Sequence, residues 1–223
     1  MNGVLNVFWA MLAKDLRREL RSREIFISGF LFSVIMLVVI YFATSSSDVD
    51  FEKMGAGGLW LCIVFSGTIG LNRIHHSEMA NGCYRSLILA PVDGGWLYLA
   101  KTLANMVLLG FTTLLLMPLM VLFFRMPIFE QPWWLFAGIG LGLLGFVAVG
   151  TLVVAIAANT RMKDVLFPMV QLPLVVPALV AGVNATTMAL EGEAPTQFVQ
   201  FLAAYNVVFL SIGFLLYEFL LEE

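Results

Sequence analysis

The sequence predicts an all-α membrane protein. It has six transmembrane helices, an amphipathic interfacial helix at the N-terminus, and a cytoplasmic coupling helix-turn-helix between spans two and three. Three observations carry this. First, 61% of the 223 residues are hydrophobic and 12% are charged, whereas a soluble domain has roughly half its residues apolar and a quarter charged. One small core cannot hide so much apolar surface, so a bilayer is the implied solvent. Second, six apolar segments approach the ~20 residues needed to cross the hydrocarbon layer. Third, the 12 Lys and Arg residues are segregated along the chain, as the positive-inside rule requires.

The elements follow in order along a single transmembrane domain, residues 1–223. Residues 1–24 read as an elbow helix: Leu5, Trp9, Leu12, Leu16 and Leu20 recur at spacings of three and four, which makes one apolar stripe. Lys14, Arg17, Arg18 and Arg21 lie mainly off it, a pattern suited to anionic headgroups at the cytoplasmic interface. A cleaved signal would place its apolar run earlier and make it shorter. The run at 25–43 reads instead as a retained first span. Span two, about 55–71, is short and glycine-rich at its start. A polar island occupies 73–95. Span three, about 96–124, is long enough to tilt. Spans four, five and six follow at about 133–158, 165–190 and 198–217.

An even number of spans puts both termini on one side. That side holds Lys14, Arg17, Arg18, Arg21, Arg23, Arg73, Arg85, Lys101, Arg161 and Lys163, against Lys53 and Arg125 opposite. Ten against two places the termini and the island in the cytoplasm. The opposite loops carry Asp48, Asp50, Glu52, Glu130, Glu191 and Glu193.

Within the spans, Gly138, Gly142, Gly145 and Gly150 form a small-residue run in span four. Such residues let helix backbones approach where hydrophobicity gives no drive. The readings are packing inside one chain or a homodimer face. Span five carries Pro168, Pro173 and Pro177, each lacking a backbone donor, so kinks or breaks are expected and a mobile gate is one reading. Gln171 in that span and Asn105 in span three are polar groups at membrane depth, expected to make interhelical hydrogen bonds. Trp133 and Trp134 open span four after Pro132 and read as an interfacial aromatic belt. Ionisable side chains are absent from the middle of every span, which argues against a proton relay. The motifs HExxH, GxSxG and CxxC do not occur, nor does a Walker A phosphate loop. If ATP drives this protein, another chain binds it. No nucleic-acid partner is expected.

The island, "RIHHSEMANGCYRSLILAPVDGG", holds both histidines and Cys83; the second cysteine, Cys62, lies in span two. His75, His76 and Cys83 make a weak metal or haem set, with no fourth ligand and a glycine interrupting the helix that would align them. The structural reading is firmer. Arg73 to Asn81 extends span two, the chain turns at Asn81-Gly82, Tyr84 to Ala90 forms a second short helix, and Pro91 stops it. Asp93 is placed to cap span three. The element is apolar on one part and charged on another, which suits docking to a soluble partner.

At this point a resemblance becomes specific. "KDLRRELRSRE", "GLNRIHHSEMANGCYRSLILAPVD", "YLAKTLANMVL" and "GFVAVGTLVVAIAANTR" resemble the CcmB family, the "haem exporter protein B" membrane subunit of the cytochrome c maturation ABC transporter, an ABC-2-like permease. In that family the island follows R-x-x-x-x-E-x-x-x-G-[TS]-L-E-x-L-x-L-x-P. Arg73, Glu78, Gly82, Leu87, Leu89 and Pro91 keep the corresponding types. Cys83-Tyr84-Arg85 departs from it, and Arg85 reverses a charge.

The resemblance implies a permease subunit with no ATPase of its own, in the bacterial cytoplasmic (inner) membrane. Two copies of a CcmA-like ABC ATPase would dock on the island, at Arg73, Glu78, Asn81, Gly82, Arg85, Leu87, Leu89 and Pro91. A CcmC-like membrane subunit would handle haem. ATP would sit on the ATPase, and no cofactor would be bound by this chain directly, with haem as a ligand of the complex. ATP would serve to release a haem-loaded periplasmic chaperone or to move haem. The alternatives are an ABC-2 exporter of a lipid or small molecule, or an intramembrane enzyme using His75, His76 and Cys83.

Overall fold

The computed structural model describes residues 2–22, 24–44, 51–80, 93–158 and 163–222. These form seven helices: α1 (Asn2–Ser22), α2 (Glu24–Thr44), α3 (Phe51–Ala80), α4 (Gly94–Phe124), α5 (Pro132–Ala158), α6 (Lys163–Leu190) and α7 (Thr196–Glu222). No strand occurs among the described residues. Helices α2 to α7 each contain a segment long and apolar enough to cross a membrane.

The helices outlast the apolar runs that announce them. The largest difference is span two, which is not short: α3 runs without interruption for 30 residues. At ~1.5 Å per residue that is about 45 Å, longer than the ~30 Å hydrocarbon layer. Hydrophobicity ends at Leu71, yet the backbone stays helical to Ala80, because a helix keeps its hydrogen bonds wherever it goes while its composition tracks only the solvent. Pro132 opens α5, where its missing N–H has no helical acceptor in any case. Helix α4 ends at Arg125, a non-glycine residue at φ 53° whose N–H returns to the Val121 carbonyl at 3.1 Å.

Helix α5 is the centre of the bundle. It packs against α3, α4, α6 and α7, while α2 lies outside against α3 and α4, and α1 packs mainly on α4. Most of the core is one cluster shared by α2 to α7, including Trp60, Ile63, Phe146, Phe167 and Leu202. A second, smaller cluster gathers Leu97, Tyr98, Leu152, Ala155 and Tyr217, with Met11 of α1 and Leu220 packed on it. Both ends of the chain therefore meet at one end of the bundle. On α1, Leu12 is buried, whereas Trp9 stays exposed beside Phe8, whose ring meets Trp96 edge-on at 6.5 Å. At the opposite end Lys53 pairs with Glu191 at 3.2 Å, and the Gln131 amide donates to the Gly192 carbonyl at 3.3 Å.

Two expectations are corrected here. Asp93 occupies the N-cap position of α4, but its side chain makes no capping bond; the Asp93 carbonyl accepts from Trp96 N–H at 3.0 Å instead. Nor is there a break in span five: α6 is continuous through Pro168, Pro173 and Pro177. Pro173 and Pro177 face outward, so their rings disturb no packing. In a bilayer an unwound turn would leave backbone groups unsatisfied, which favours keeping the helix.

Candidate functional site

The candidate site has two parts, the island that would receive force and the joints that would carry it inward. The island's centre, residues 81–92, lies outside the described residues. That range includes Asn81, Gly82, Arg85, Leu87, Leu89 and Pro91, together with Cys83. Arg73, Glu78, His75 and His76 sit on the last turns of α3, with their side chains outside the described set. Among the described residues no group of three His, Cys, Asp or Glu side chains is placed to hold a metal ion.

The two stems of the island are fastened to different parts of the bundle. On the α4 stem, a Cβ added to Gly94 would meet the Glu218 Cα of α7 at 2.6 Å, and one added to Gly95 would meet the Phe214 ring at 2.6 Å. The absence of side chains lets the two backbones touch. One turn on, Tyr98 is fully buried against Gly213 of α7. Its hydroxyl donates to the Ala148 carbonyl of α5 at 3.0 Å and lies 3.5 Å from the Phe209 carbonyl of α7. Asn105, two turns further, donates to Thr151 Oγ1 of α5 at 3.3 Å, the interhelical bond its depth predicts.

On the α3 stem, Leu71 presses on Gly150 of α5, and Gln171 of α6 lies against the same glycine, its Nε2 2.9 Å from where a Cβ would stand. The island thus joins a stem held by α7 and α5 to a stem lodged between α5 and α6.

Four of the five glycines of α5 face neighbours within this chain, and the fifth, Gly140, faces open space. Gly138 meets Ala185 of α6, Gly142 meets Trp60 of α3, Gly145 meets Tyr205 and Asn206 of α7, and Gly150 meets Leu71 and Gln171. The Trp60 ring is held between Gly142 and Gly182 of α6, and its indole N–H donates to Thr186 Oγ1 at 3.0 Å. Asn206 Nδ2 donates to the Leu141 carbonyl at 2.9 Å, and Tyr205 OH donates to the Leu174 carbonyl of α6 at 2.8 Å.

The sequence reading missed Trp60, Tyr98 and Asn206. Asn206 belongs to the same class as Asn105 and Gln171, a carboxamide inside a span, and that signal was present. Trp60 sits mid-span, away from the belts where tryptophans collect. At the far end Trp133 is 82% exposed and Phe129 86%, and Arg125 and Glu130 are exposed as well.

Six apolar helices with a glycine-jointed centre define a multi-pass all-α membrane protein of permease type. The family described as "CcmB protein" matches residues 6–217, and the chain belongs to it. It is 27% identical over 204 residues to "Heme exporter protein B" of Paracoccus denitrificans, covering 92% of this chain and 93% of that one. It is similar to the protein of the same description from Rhodobacter capsulatus, 26% over 185 residues, covering 83% and 84%. The Pseudomonas aeruginosa protein so described is 23% identical over 207 residues, covering 93% and 92%.

Proposed function

We propose that this chain is the membrane subunit of an ABC system serving cytochrome c maturation, and that it converts ATP hydrolysis on a separate CcmA-like subunit into movement across the membrane. The observation that carries the reading is the CcmB family match over residues 6–217. In this reading the island is the ATPase dock, both termini are cytoplasmic, and the exposed aromatic end faces the periplasm. Haem is handled by the complex, with a CcmC-like partner supplying its ligands, and the outcome is release of a haem-loaded chaperone or passage of haem.

The architecture supports such a role in one respect. Force applied to the island reaches α7 and α5 through Tyr98, and reaches the α5–α6 contact through Leu71. A coupling device needs contacts that differ between two states, and two stems with separate attachments supply a lever.

The test is co-purification of the ATPase subunit with Leu87→Asp and with Glu78→Lys, alongside ATP turnover of the assembly. Loss of binding in either variant, with the chain still inserted in the membrane, is expected. Full binding and full turnover in both would overturn the docking role.

A further inference from the structure

Asn206 and Gln171 approach α5 in related ways and end differently. Asn206 lies over Gly145, its Oδ1 2.9 Å from the Cβ position, and its Nδ2 bonds the carbonyl four residues earlier, at Leu141. Gln171 lies over Gly150, its Nε2 2.9 Å from the Cβ position. The carbonyl four residues earlier there is that of Phe146. Gln171 makes no such bond. It is 0% exposed, and neither Nε2 nor Oε1 has a hydrogen-bond partner.

A buried carboxamide with both ends unbonded is unfavourable in any low-dielectric setting, and it sits on the helix that carries three internal prolines. Pro168, Pro173 and Pro177 each remove a backbone donor from α6, so the half of the helix that holds Gln171 has the thinnest hydrogen-bond ladder. From α7 this half is tied at Leu174, through Tyr205.

We propose that α6 has two seats on α5. In the one described above Gln171 is released. In the other, a small slide or rotation of α6 over Gly150 lets the Gln171 amide bond the Phe146 carbonyl, as Asn206 bonds Leu141. The Asn206 joint stays closed in both seats, so α7 and α5 move as a unit, and α6 moves against them as the Tyr205–Leu174 bond lengthens. Leu71 shares Gly150 with Gln171, so the stem of α3 shifts with the exchange. The device is a property of this chain and does not depend on the ATPase reading, since its test needs no partner.

The experiment uses the full chain in lipid nanodiscs, with Cys62→Ala and Cys83→Ser as background. Spin labels at Met169→Cys on α6 and Phe42→Cys on α2, both exposed and at opposite ends of the bundle, report the position of α6 by electron–electron resonance. Two distances are expected, merging into one when Gln171→Leu removes the bond that defines the second seat. A single distance in both chains, or two distances that persist in Gln171→Leu, would overturn the proposal.

Discussion

The Tyr98 hydroxyl donates to the Ala148 carbonyl at 3.0 Å while the same phenol ring covers Gly213, so one side chain of α4 fastens α5 to α7. Tyr98→Phe keeps the ring and deletes the donor, and is expected to destabilise by about 0.5–1.5 kcal/mol. Gly213→Leu drives a side chain into a ring that has nowhere to go and should exceed it, at about 1–3 kcal/mol. Thermal unfolding of the purified chain in one detergent checks the order; a Gly213→Leu protein more stable than Tyr98→Phe would contradict the close packing.

The indole of Trp60 depends on one acceptor, Thr186. Thr186→Val leaves that buried N–H unsatisfied and should be unfavourable by about 1–3 kcal/mol. Trp60→Phe removes the donor but leaves the notch between Gly142 and Gly182 partly empty. The two groups are in direct contact, so the double substitution should destabilise by less than the sum of the singles. Strict additivity would mean that the bond contributes nothing.

Adjacent glycines at the foot of α4 should respond unequally. A methyl at Gly94 meets the Glu218 backbone at 2.6 Å, whereas one at Gly95 meets the Phe214 ring. A half-buried ring can turn, but a helix backbone cannot. Gly94→Ala is therefore expected to be the more destabilising of the two, and to weaken the attachment of α7 as read by protease access to the C-terminal helix. Equal effects would refute the backbone contact.

The Lys53–Glu191 pair is solvent-exposed on both partners. Its loss in Glu191→Gln should change stability by no more than ~1 kcal/mol, and the difference should vanish in about 1 M salt. A larger or salt-insensitive effect would point to a role for this end of the bundle that the pair alone does not explain.

The number and order of spans were legible because the bilayer makes every crossing segment declare itself by composition. Helix ends were less so: the Phe51 start and Ala80 end of α3 lie beyond the apolar run, where the chain can be helical without being greasy. The glycines of span four pointed to close packing, yet a glycine does not name what fills it. That Gly142 receives Trp60, or that Gly213 receives Tyr98, follows from which helix lies beside which, and periodicity within one span is silent on that. Gln171 was legible as a polar group at depth and its expected partner was not found, because a carboxamide's bond depends on the axial register of two helices to within an ångström or two.

The centrality of α5 has a consequence for how the chain is made. Two of its four neighbours, α3 and α4, precede it in synthesis, and the other two, α6 and α7, come later. When the fourth span first enters the bilayer, the hollows at Gly138 and Gly145 still lack Ala185 and Asn206 and are open to lipid tails. Lipid in those hollows has to give way to α6 at Gly138 and to α7 at Gly145 before the contacts of α5 are complete.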